Sequence, residues 1–329
     1  MGIQQLKGEL EELVSFDDFS TVLKSMASIK YPKFKKQLDG FRVFANSVKD
    51  NLHLAYNSFD PNDVTLENFK KELKELETYK DMDTHLEIKE GLKTHGVQSF
   101  FESSGSNNTL IIIITANLGF CGKYNREILN CSDKLIDDIE KISKVNLVCI
   151  GRKACDYFSS KRQIPSENLI SFPEKNEEQK RELSNSLLEK NMLDPFLKKE
   201  ISNIKIVYQS FTEYPKITTK PYVLDILPLP RVEVKKGIME RKTVFEPSPL
   251  LCLCYLIRES LFSSLMSCFI EAETAENYLR MIAMNQASDS IKEMLGKKES
   301  EIRKFRQNLI TKELVEIISG AEALKNRDN

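Results

Sequence analysis

The chain has 329 residues, a formal net charge of −1, and 41% hydrophobic against 29% charged residues. This length predicts about two domains, and the near-neutral charge excludes a strong attraction to nucleic acid or anionic lipid. The seven cysteines follow no framework spacing, which favours reduced thiols in the cytoplasm. We expect no signal peptide, because Met1 is not followed by a basic segment and then an apolar one. The longest purely apolar run, 110–114, is far shorter than the roughly 20 residues of a spanning helix. We expect at most a peripheral role at a membrane.

Residues 1–58 are predicted to form one long helix. Apolar residues recur at every third or fourth position, as on one face of an α-helix. This stripe consists of Leu6, Leu10, Leu13, Val22, Met26, Ile29, Phe34, Leu38, Phe41, Ala45, Val48 and Leu52. Pro32 interrupts the run and should kink the helix or remove one backbone hydrogen bond. Residues 59–108 follow as a charged helical extension that ends in a Ser- and Asn-rich loop.

The sequence period changes at residue 109, and short strands alternate with helices through residue 230. The strands are expected at 110–114, 145–150, 204–208 and 222–227, and the helices at 124–142 and 153–161. This alternation predicts a small doubly wound α/β domain with right-handed crossovers. Within it, the charged stretch near 174–200 is expected to be a helical insertion on the surface. Residues 231–249 form an extended linker, since four prolines lie between residues 228 and 249.

Residues 250–329 carry no proline and are predicted to form a second, longer helix. Small or apolar residues recur with spacings of four and three, first at Leu261, Leu265, Cys268, Ala272, Ala275, Leu279 and Ile282, then at Ile310, Leu314, Ile317, Ala321 and Leu324. The polar run 296–301 separates the two groups, which indicates a coiled-coil seam in two registers. Because such a seam needs a partner, the two terminal helices should pair. The predicted fold is therefore α/β, with a long antiparallel coiled coil of N- and C-terminal helices and an inserted α/β domain.

No catalytic, metal or cofactor site is expected from the motifs. The segment 119–123 lies between a strand and a helix, where phosphates bind in α/β folds. It lacks the full glycine and hydroxyl pattern of a phosphate loop, which favours a tight turn. The three histidines are scattered, and Cys252 and Cys254 have no second pair to complete a zinc site. Cys121 is expected to be an ordinary buried thiol rather than a reactive one.

Three stretches together resemble the gamma subunit of F-type ATP synthases. Residues 273–289 read ETAENYLRMIAMNQASD, and residues 303–324 read RKFRQNLITKELVEIISGAEAL, close to the family's C-terminal signature. Residues 114–125 read ITANLGFCGKYN and match the family's strand and glycine turn. Weaker similarity lies at 23–26 and 33–36.

The resemblance implies a central rotor shaft inside a hexameric head of alpha- and beta-type subunits, which would bind and hydrolyse ATP. This chain would be a non-catalytic subunit without a cofactor. A small epsilon-like subunit and a membrane ring, or another foot-binding protein, would complete its partners. The expected location is cytoplasmic, peripheral at the inner face of the cell membrane.

The resemblance also implies roles for particular residues. Arg306, Gln307, Thr311 and Glu313 would contact loops of a catalytic subunit, and Lys24, Met26 and Arg280 would meet the head near the base of the coil. Ile317 and Ile318 would belong to an apolar tip that turns in a bearing. Gly119, Cys121, Gly122 and Asn125 would form the turn of the globular domain.

The sequence also departs from the family pattern. Asn117 and Leu118 replace an Asp-Arg pair, Lys123 replaces a second glycine, and the N-terminal helix is acidic where family members are usually basic. These changes keep open a gamma-like shaft of an F-type-like ATPase paralogue, whose rotation would serve motility or transport. Two other classes are a coiled-coil adaptor, disfavoured by the C-terminal signature, and a small α/β enzyme with a dimerising rod, disfavoured by the missing catalytic motifs.

Overall fold

The computed structural model describes most of the chain: residues 3–57, 100–102, 105–172, 177–230, 245–246 and 249–325. Contacts divide the chain into two compact units. The first contains residues 1–30, 120–122 and 278–329, and the second contains residues 31–119 and 123–277. The charged extension predicted within 59–108 and most of the linker predicted at 231–249 lie outside the described residues.

Two long helices begin and end the described chain. Helix α1 spans Ile3–Asn57 and passes through Pro32, although proline removes one backbone hydrogen bond from a helix interior. Helix α6 spans Pro249–Lys325 and passes through both Gly296 and Gly320. These residues therefore do not end either helix.

The second unit is built on a five-stranded sheet with the strand order β3-β2-β1-β4-β5. The strands are β1 (Asn108–Ile114), β2 (Lys144–Ile150), β3 (Leu169–Ile170), β4 (Asn203–Thr212) and β5 (Thr218–Leu227). The helices between them are α2 (Tyr124–Glu140), α3 (Arg152–Lys161), α4 (Glu177–Ser186), a π-helical segment (Leu187–Leu193) and α5 (Asp194–Leu197). The four long strands confirm the α/β class, and β3 was not predicted.

The sheet is mixed rather than wholly parallel. Strands β1, β2, β3 and β4 pair in parallel, whereas β5 pairs antiparallel with β4. Only residues 213–217 join β4 to β5, and a crossover to a parallel strand needs about a dozen residues or more. The short connection therefore forces the last strand to run back along its neighbour, so the crossovers expected from the sequence stop at β4.

Both faces of the sheet are covered. On one face, Leu110, Ile112 and Ile114 belong to a buried cluster that includes residues of α1 and α6. The alternate residues Ile111 and Ile113 are also fully buried, and α2 contacts β1, β2 and β4. This alternation explains why β1 is a continuous apolar run, since a strand buried on both faces has no solvent side.

The described part of the predicted insertion, residues 177–200, is largely helical, as expected, but it is not confined to the surface. The π-helical segment contributes Leu187, Leu188, Met192 and Leu193 to the buried cluster, and α5 contributes Phe196. The charged residues of α4 masked this apolar face in the sequence. Burial of these side chains, each stabilising by roughly 1.5–3 kcal/mol, makes the segment part of the domain core.

The first half of the predicted seam of α6 is buried with residues of the sheet as well as with residues of the expected partner, α1. Leu261, Leu265, Cys268 and Ala272 lie in the same buried cluster as the sheet residues. Their spacing of four and three is that of a coiled-coil stripe, but it serves equally for a helix that packs on a sheet. In this part of α6 the sheet and α1 share the apolar stripe.

A buried ion pair joins α4 to α6. Lys180 Nζ donates to Glu273 Oε2, and both side chains are 5% exposed. Lys180 also lies over the ring of Phe34, 5.0 Å from its centroid. Removing one member of such a pair leaves an uncompensated buried charge, which costs more free energy than the pair itself contributes.

We expect Lys180→Met to lower the free energy of unfolding by about 3–5 kcal/mol, because Glu273 then remains buried without its cation. The double variant Lys180→Met/Glu273→Leu should recover most of that loss, since an apolar pair of similar volume carries no desolvation cost. Urea denaturation followed by circular dichroism measures both. A double variant no more stable than the single one would contradict this explanation.

Gly151 follows β2 at a position that only glycine suits. Its φ is +96°, and an added Cβ would lie 2.0 Å from the carbonyl oxygen of Thr115. Gly105 has a similar φ of +76° but open space around its Cα. A substitution at Gly105 would therefore introduce backbone strain alone, whereas one at Gly151 would introduce both backbone strain and steric overlap.

Gly105→Ala should cost about 1–2 kcal/mol, the usual strain of a left-handed residue with a Cβ. Gly151→Ala should lower the free energy of unfolding distinctly more, because the backbone of Thr115 must also move to make room for the added Cβ. Comparing the two melting temperatures tests this difference. Equal losses would show that the loop after β2 adjusts without resistance.

Candidate functional site

The two helices of the first unit pair antiparallel. Ser288 Oγ donates to Asp17 Oδ1 at 2.8 Å, and Lys298 Nζ contacts Glu9 Oε2 at 2.6 Å. Higher residue numbers in α6 therefore pair with lower residue numbers in α1, as in an antiparallel coiled coil. The predicted pairing of the terminal helices is present in this unit.

The acidic character of α1 has a local explanation in these contacts. Glu9 and Asp17, two of the acidic residues that depart from the family pattern, both bind side chains of α6. The hydrogen bond that Lys298 donates to Glu9, with a further one that it donates to Glu301, raises the pKa of Lys298 above its usual value. The acidic residues thus fix the pairing of the two helices at the surface of the coil.

The buried side of α1 in this unit differs from the predicted stripe. Leu6, Ser20 and Ala27 are buried, whereas Val22, Met26 and Ile29 are exposed. Residues 6, 20 and 27 are separated by multiples of seven, the repeat of a coiled-coil seam. The prediction followed the larger apolar residues, but the small side chains of Ser20 and Ala27 occupy the buried positions.

The end of α6 extends beyond α1. The pairs 17–288 and 9–298 place Ile3, the first described residue, opposite roughly residue 303 in an antiparallel coil. The described helix then continues to Lys325, a further ~30 Å at 1.5 Å per residue. Every residue from Arg306 to Gly320 is exposed. We call residues 306–320 the helix tip.

The second half of the predicted seam therefore has no partner within the described chain. Ile310, Leu314, Ile317 and Ile318 are between 54% and 68% exposed. An exposed apolar stripe of this size on a helix is typical of a surface that meets another protein. Ala321 and Leu324 belong to a stretch whose side chains the structure does not describe.

The helix tip brings together six of the predicted contact residues. Arg306, Glu313 and Ile317 share one face by helical spacing, and Gln307, Thr311 and Ile318 share a face about 100° away. Thr311 Oγ1 donates to the carbonyl of Gln307 at 2.9 Å, within the helix itself. Charged, polar and apolar groups thus lie side by side, which allows both hydrogen bonding and apolar contact with a partner.

A groove of about 380 Å³ lies where α1 begins, next to the helix tip. It is lined by both apolar and charged residues. These are Lys7, Leu10, Glu11, Glu299, Ile302, Arg303 and Arg306. Arg306 thus links the paired part of the coil to the tip.

The three other predicted contact residues lie further along the coil. Met26 is 49% exposed and Lys24 is half-buried, whereas Arg280 is only 7% exposed. Little of the Arg280 side chain is left for another protein to contact. Met26 and Lys24 present accessible atoms, as a contact with a partner requires.

The predicted glycine turn, residues 119–125, lies between β1 and α2 and includes the start of α2. Gly122 adopts a φ of +58°, and an added Cβ would lie 3.5 Å from Cβ of Ala283. Phe120 also has a positive φ of 60°, and its ring packs edge-on against Phe19 with centroids 5.2 Å apart. Cys121 is buried. Gly119 has no positive φ, and a Cβ added there would meet no atom within 4 Å, so the position itself does not require glycine.

Two asparagines hold the strand ends near this turn. Asn125 Oδ1 accepts a hydrogen bond from the backbone amide of Ala116 at 3.0 Å. Asn117 Nδ2 donates to the carbonyl of Phe172 at 2.7 Å, and Asn117 Oδ1 accepts from the amides of Arg152 and Phe172, each at 3.1 Å. Asn117 therefore joins the segments after β1, β2 and β3, a role that the sequence alone did not indicate.

Asn117→Ala should lower the free energy of unfolding by about 1–3 kcal/mol, because three backbone groups lose their partner. Asn146→Ala, in β2, is the control and should have a smaller effect. Denaturation in urea measures both. Equal stability of Asn117→Ala and the unaltered protein would contradict the bridging role.

The described residues were also compared with the requirements of a metal site and of a membrane-spanning helix. Within the described part of the chain, no three His, Cys, Asp or Glu side chains lie together in a way that would hold a metal ion. One stretch of α6 is long and apolar enough to cross a membrane, but 61% of it is buried inside the protein, as is typical of a core helix.

Comparison with known proteins gave matches along nearly the whole chain. A family model described as ATP synthase matches residues 3–324. The ATP synthase gamma chain of Halothermothrix orenii is 32% identical over 226 residues, which is 67% of this chain and 75% of that protein. The corresponding chain of Chlorobium phaeobacteroides is 29% identical over 223 residues, 66% of this chain and 74% of that protein.

Solved structures also match. A chain of the Tetrahymena thermophila mitochondrial ATP synthase central stalk and c-ring has a TM-score of 0.49 and 19% identity, and covers 82% of this chain and 99% of that one. A chain of the Euglena gracilis mitochondrial ATP synthase has a TM-score of 0.48 and 16% identity, and covers 90% and 95%.

Proposed function

The chain belongs to the ATP synthase gamma-chain family, and we propose that it is the central rotor shaft of an F-type rotary ATPase. The observation that carries this proposal is the exposed helix tip, residues 306–320, together with the antiparallel coil below it. A helix with apolar residues around its end is unfavourable in water. It is suited to a position inside a ring of other subunits.

The proposed partners are the alpha- and beta-type subunits of a hexameric head. The two helices of the coil carry different residues, so the shaft presents a different surface to each catalytic subunit around it. Rotation would then change the nucleotide affinity of each site in turn. In thermodynamic terms, shaft angle and site affinity share a coupling free energy.

Individual contacts follow from the exposed residues. Arg306, Gln307, Thr311 and Glu313 would bind loops of a catalytic subunit through their charged and polar groups. Ile317 and Ile318 would turn in an apolar bearing, where their exposed area is removed from water. Lys24 and Met26 would meet the head lower down the coil, and Arg280 would act through its neighbours because it is buried.

The chain itself is proposed to be a non-catalytic subunit, with ATP bound and hydrolysed by its partners. Its sheet-bearing unit would contact a small epsilon-like subunit and a membrane ring or other foot-binding protein. The complex would be cytoplasmic and peripheral at the inner face of the cell membrane. Neither the matches reported above nor the described part of the chain favours the alternative, a gamma-like shaft that serves motility or transport.

Isolation of the native protein tests the proposal most directly. Alpha- and beta-type ATPase subunits with phosphate-loop motifs should co-purify with it in stoichiometric amounts and hydrolyse ATP. Purification without any such subunit would remove the rotor-shaft proposal.

The double variant Arg306→Ala/Gln307→Ala should lower the ATPase rate of the complex several-fold without dissociating it. Each lost charged or polar contact is worth on the order of 1–3 kcal/mol, and these contacts are expected to change with nucleotide state. The control is Glu293→Ala/Lys297→Ala, which removes an exposed ion pair on α6 and should leave the rate unchanged. Unchanged turnover in the first variant would exclude both residues as contacts.

A further inference from the structure

Helix α6 buries three carboxylates close together, those of Glu271, Glu273 and Glu276, beside the polar residues Thr274 and Asn277. Glu271 and Glu273 bind other elements of the second unit. Glu271 is 8% and Glu273 4% exposed, and they lie among Phe269, Ala272 and Ala275, which are buried as well. Burying a carboxylate is costly unless it is paired and hydrogen-bonded. Each of these two must therefore be held by specific partners, and those partners show what the carboxylates do.

Glu271 joins three elements of the second unit. Its Oε1 accepts from the backbone amide of Phe211 in β4 at 2.8 Å and from Arg42 of α1 at 3.0 Å. The same Nη2 atom of Arg42 donates to the carbonyl of Phe211 at 2.5 Å. Tyr208 of β4 donates to the other carboxylate oxygen at 3.4 Å. Glu271, Arg42 and Phe211 thus form a closed triangle that connects α6, α1 and β4.

Glu273 binds on another side of α6. It accepts a hydrogen bond from Lys180 of α4, which also lies over Phe34 of α1. Residues two apart on an α-helix point about 200° from each other. The carboxylates of Glu271 and Glu273 therefore hold α6 from nearly opposite sides.

Hydrogen bonds, which are directional, resist rotation of a helix about its own axis more strongly than apolar packing does. Apolar contacts depend on buried area and not on direction, so a helix can turn slightly about its own axis with little loss. Charge-assisted hydrogen bonds have a fixed geometry and are roughly twice as strong as neutral ones. Two such bonds on opposite sides oppose rotation of the helix in either sense.

We propose that Glu271 and Glu273 are positioning residues that fix the rotational setting of α6 in the sheet-bearing unit, so that torque passes between this unit and the shaft without slip. The torque part rests on the proposed rotor function, whereas the fixed setting of the helix does not. A chain that transmits torque along one continuous helix needs such fixed contacts. If α6 rotated relative to the sheet-bearing unit, part of the rotation would not be transmitted to the head.

The rotational setting can be measured on the isolated full-length chain. Spin labels on Ile142→Cys, after α2, and Tyr255→Cys, on α6, occupy exposed positions of the second unit. The partly exposed Cys131, Cys155 and Cys252 are replaced by Ser in every sample. The width of the distance distribution between the two labels reports how far α6 turns against the sheet.

The decisive variant is Lys180→Met/Glu273→Leu, which keeps the site filled and is expected to fold stably. Its distance distribution should be broader, and adding Glu271→Gln should broaden it further, because the bonds to Arg42 and Phe211 then lose the charge of the carboxylate. Asp225→Asn is the control, since it weakens a more exposed ion pair with Lys205. It should leave the width unchanged.

Melting temperature separates this role from a merely structural one. The proposal would be overturned if the triple variant Lys180→Met/Glu273→Leu/Glu271→Gln folded stably and its distance distribution between the spin labels were as narrow as that of the unaltered chain. In the complex with alpha- and beta-type subunits, a bead attached at residue 142 should fluctuate over a wider angle in this variant while the head is stalled. Unchanged bead fluctuation would overturn the torque part. Failure of the unaltered chain to bind such subunits would instead overturn only the rotor function.

Discussion

The structure depends on how one helix of 77 residues buries its apolar stripe. Such a stripe is unstable in water, so each part of it must find a partner. Leu253 to Ala272 pack in the cluster that holds the sheet residues, whereas Met284, Ser288 and Ile302 are buried in the unit that contains the start of α1. The helix tip remains exposed. The same pattern along one helix therefore builds a domain core, a coiled coil and a surface for other subunits.

Polar and charged contacts, some buried and some at the surface, give the structure its specificity. In the second unit, Glu271 and Glu273 bind α1, β4 and α4 through charged hydrogen bonds. In the first unit, Glu9 and Asp17 bind Lys298 and Ser288. Apolar packing supplies most of the stabilising free energy, but it would tolerate small slips along or around a helix. The charged bonds do not, and this suits a chain proposed to transmit rotation.

The departures from the family pattern also gain physical explanations. Asn117, in place of an aspartate, joins three loops at the ends of neighbouring strands through its amide. Glu9 and Asp17 make an acidic α1 compatible with a coil, since their partners lie on α6. These features explain local structure and favour no change of function. They support a shaft of ordinary design with altered surface chemistry.

The α/β class, both terminal helices, the four long strands and the family could all be predicted from the sequence, because they rest on local periodicity and on contiguous motifs. The sequence could not determine which apolar stripes are buried. Val22 and Ile29 are exposed while Ser20 and Ala27 are buried, since close helix packing selects small side chains over large ones. Nor did the charged residues of 177–200 reveal that this segment contributes to the core. The direction of β5 and the partners of Glu271 and Glu273 were decided only by tertiary structure, because they join residues far apart in the chain.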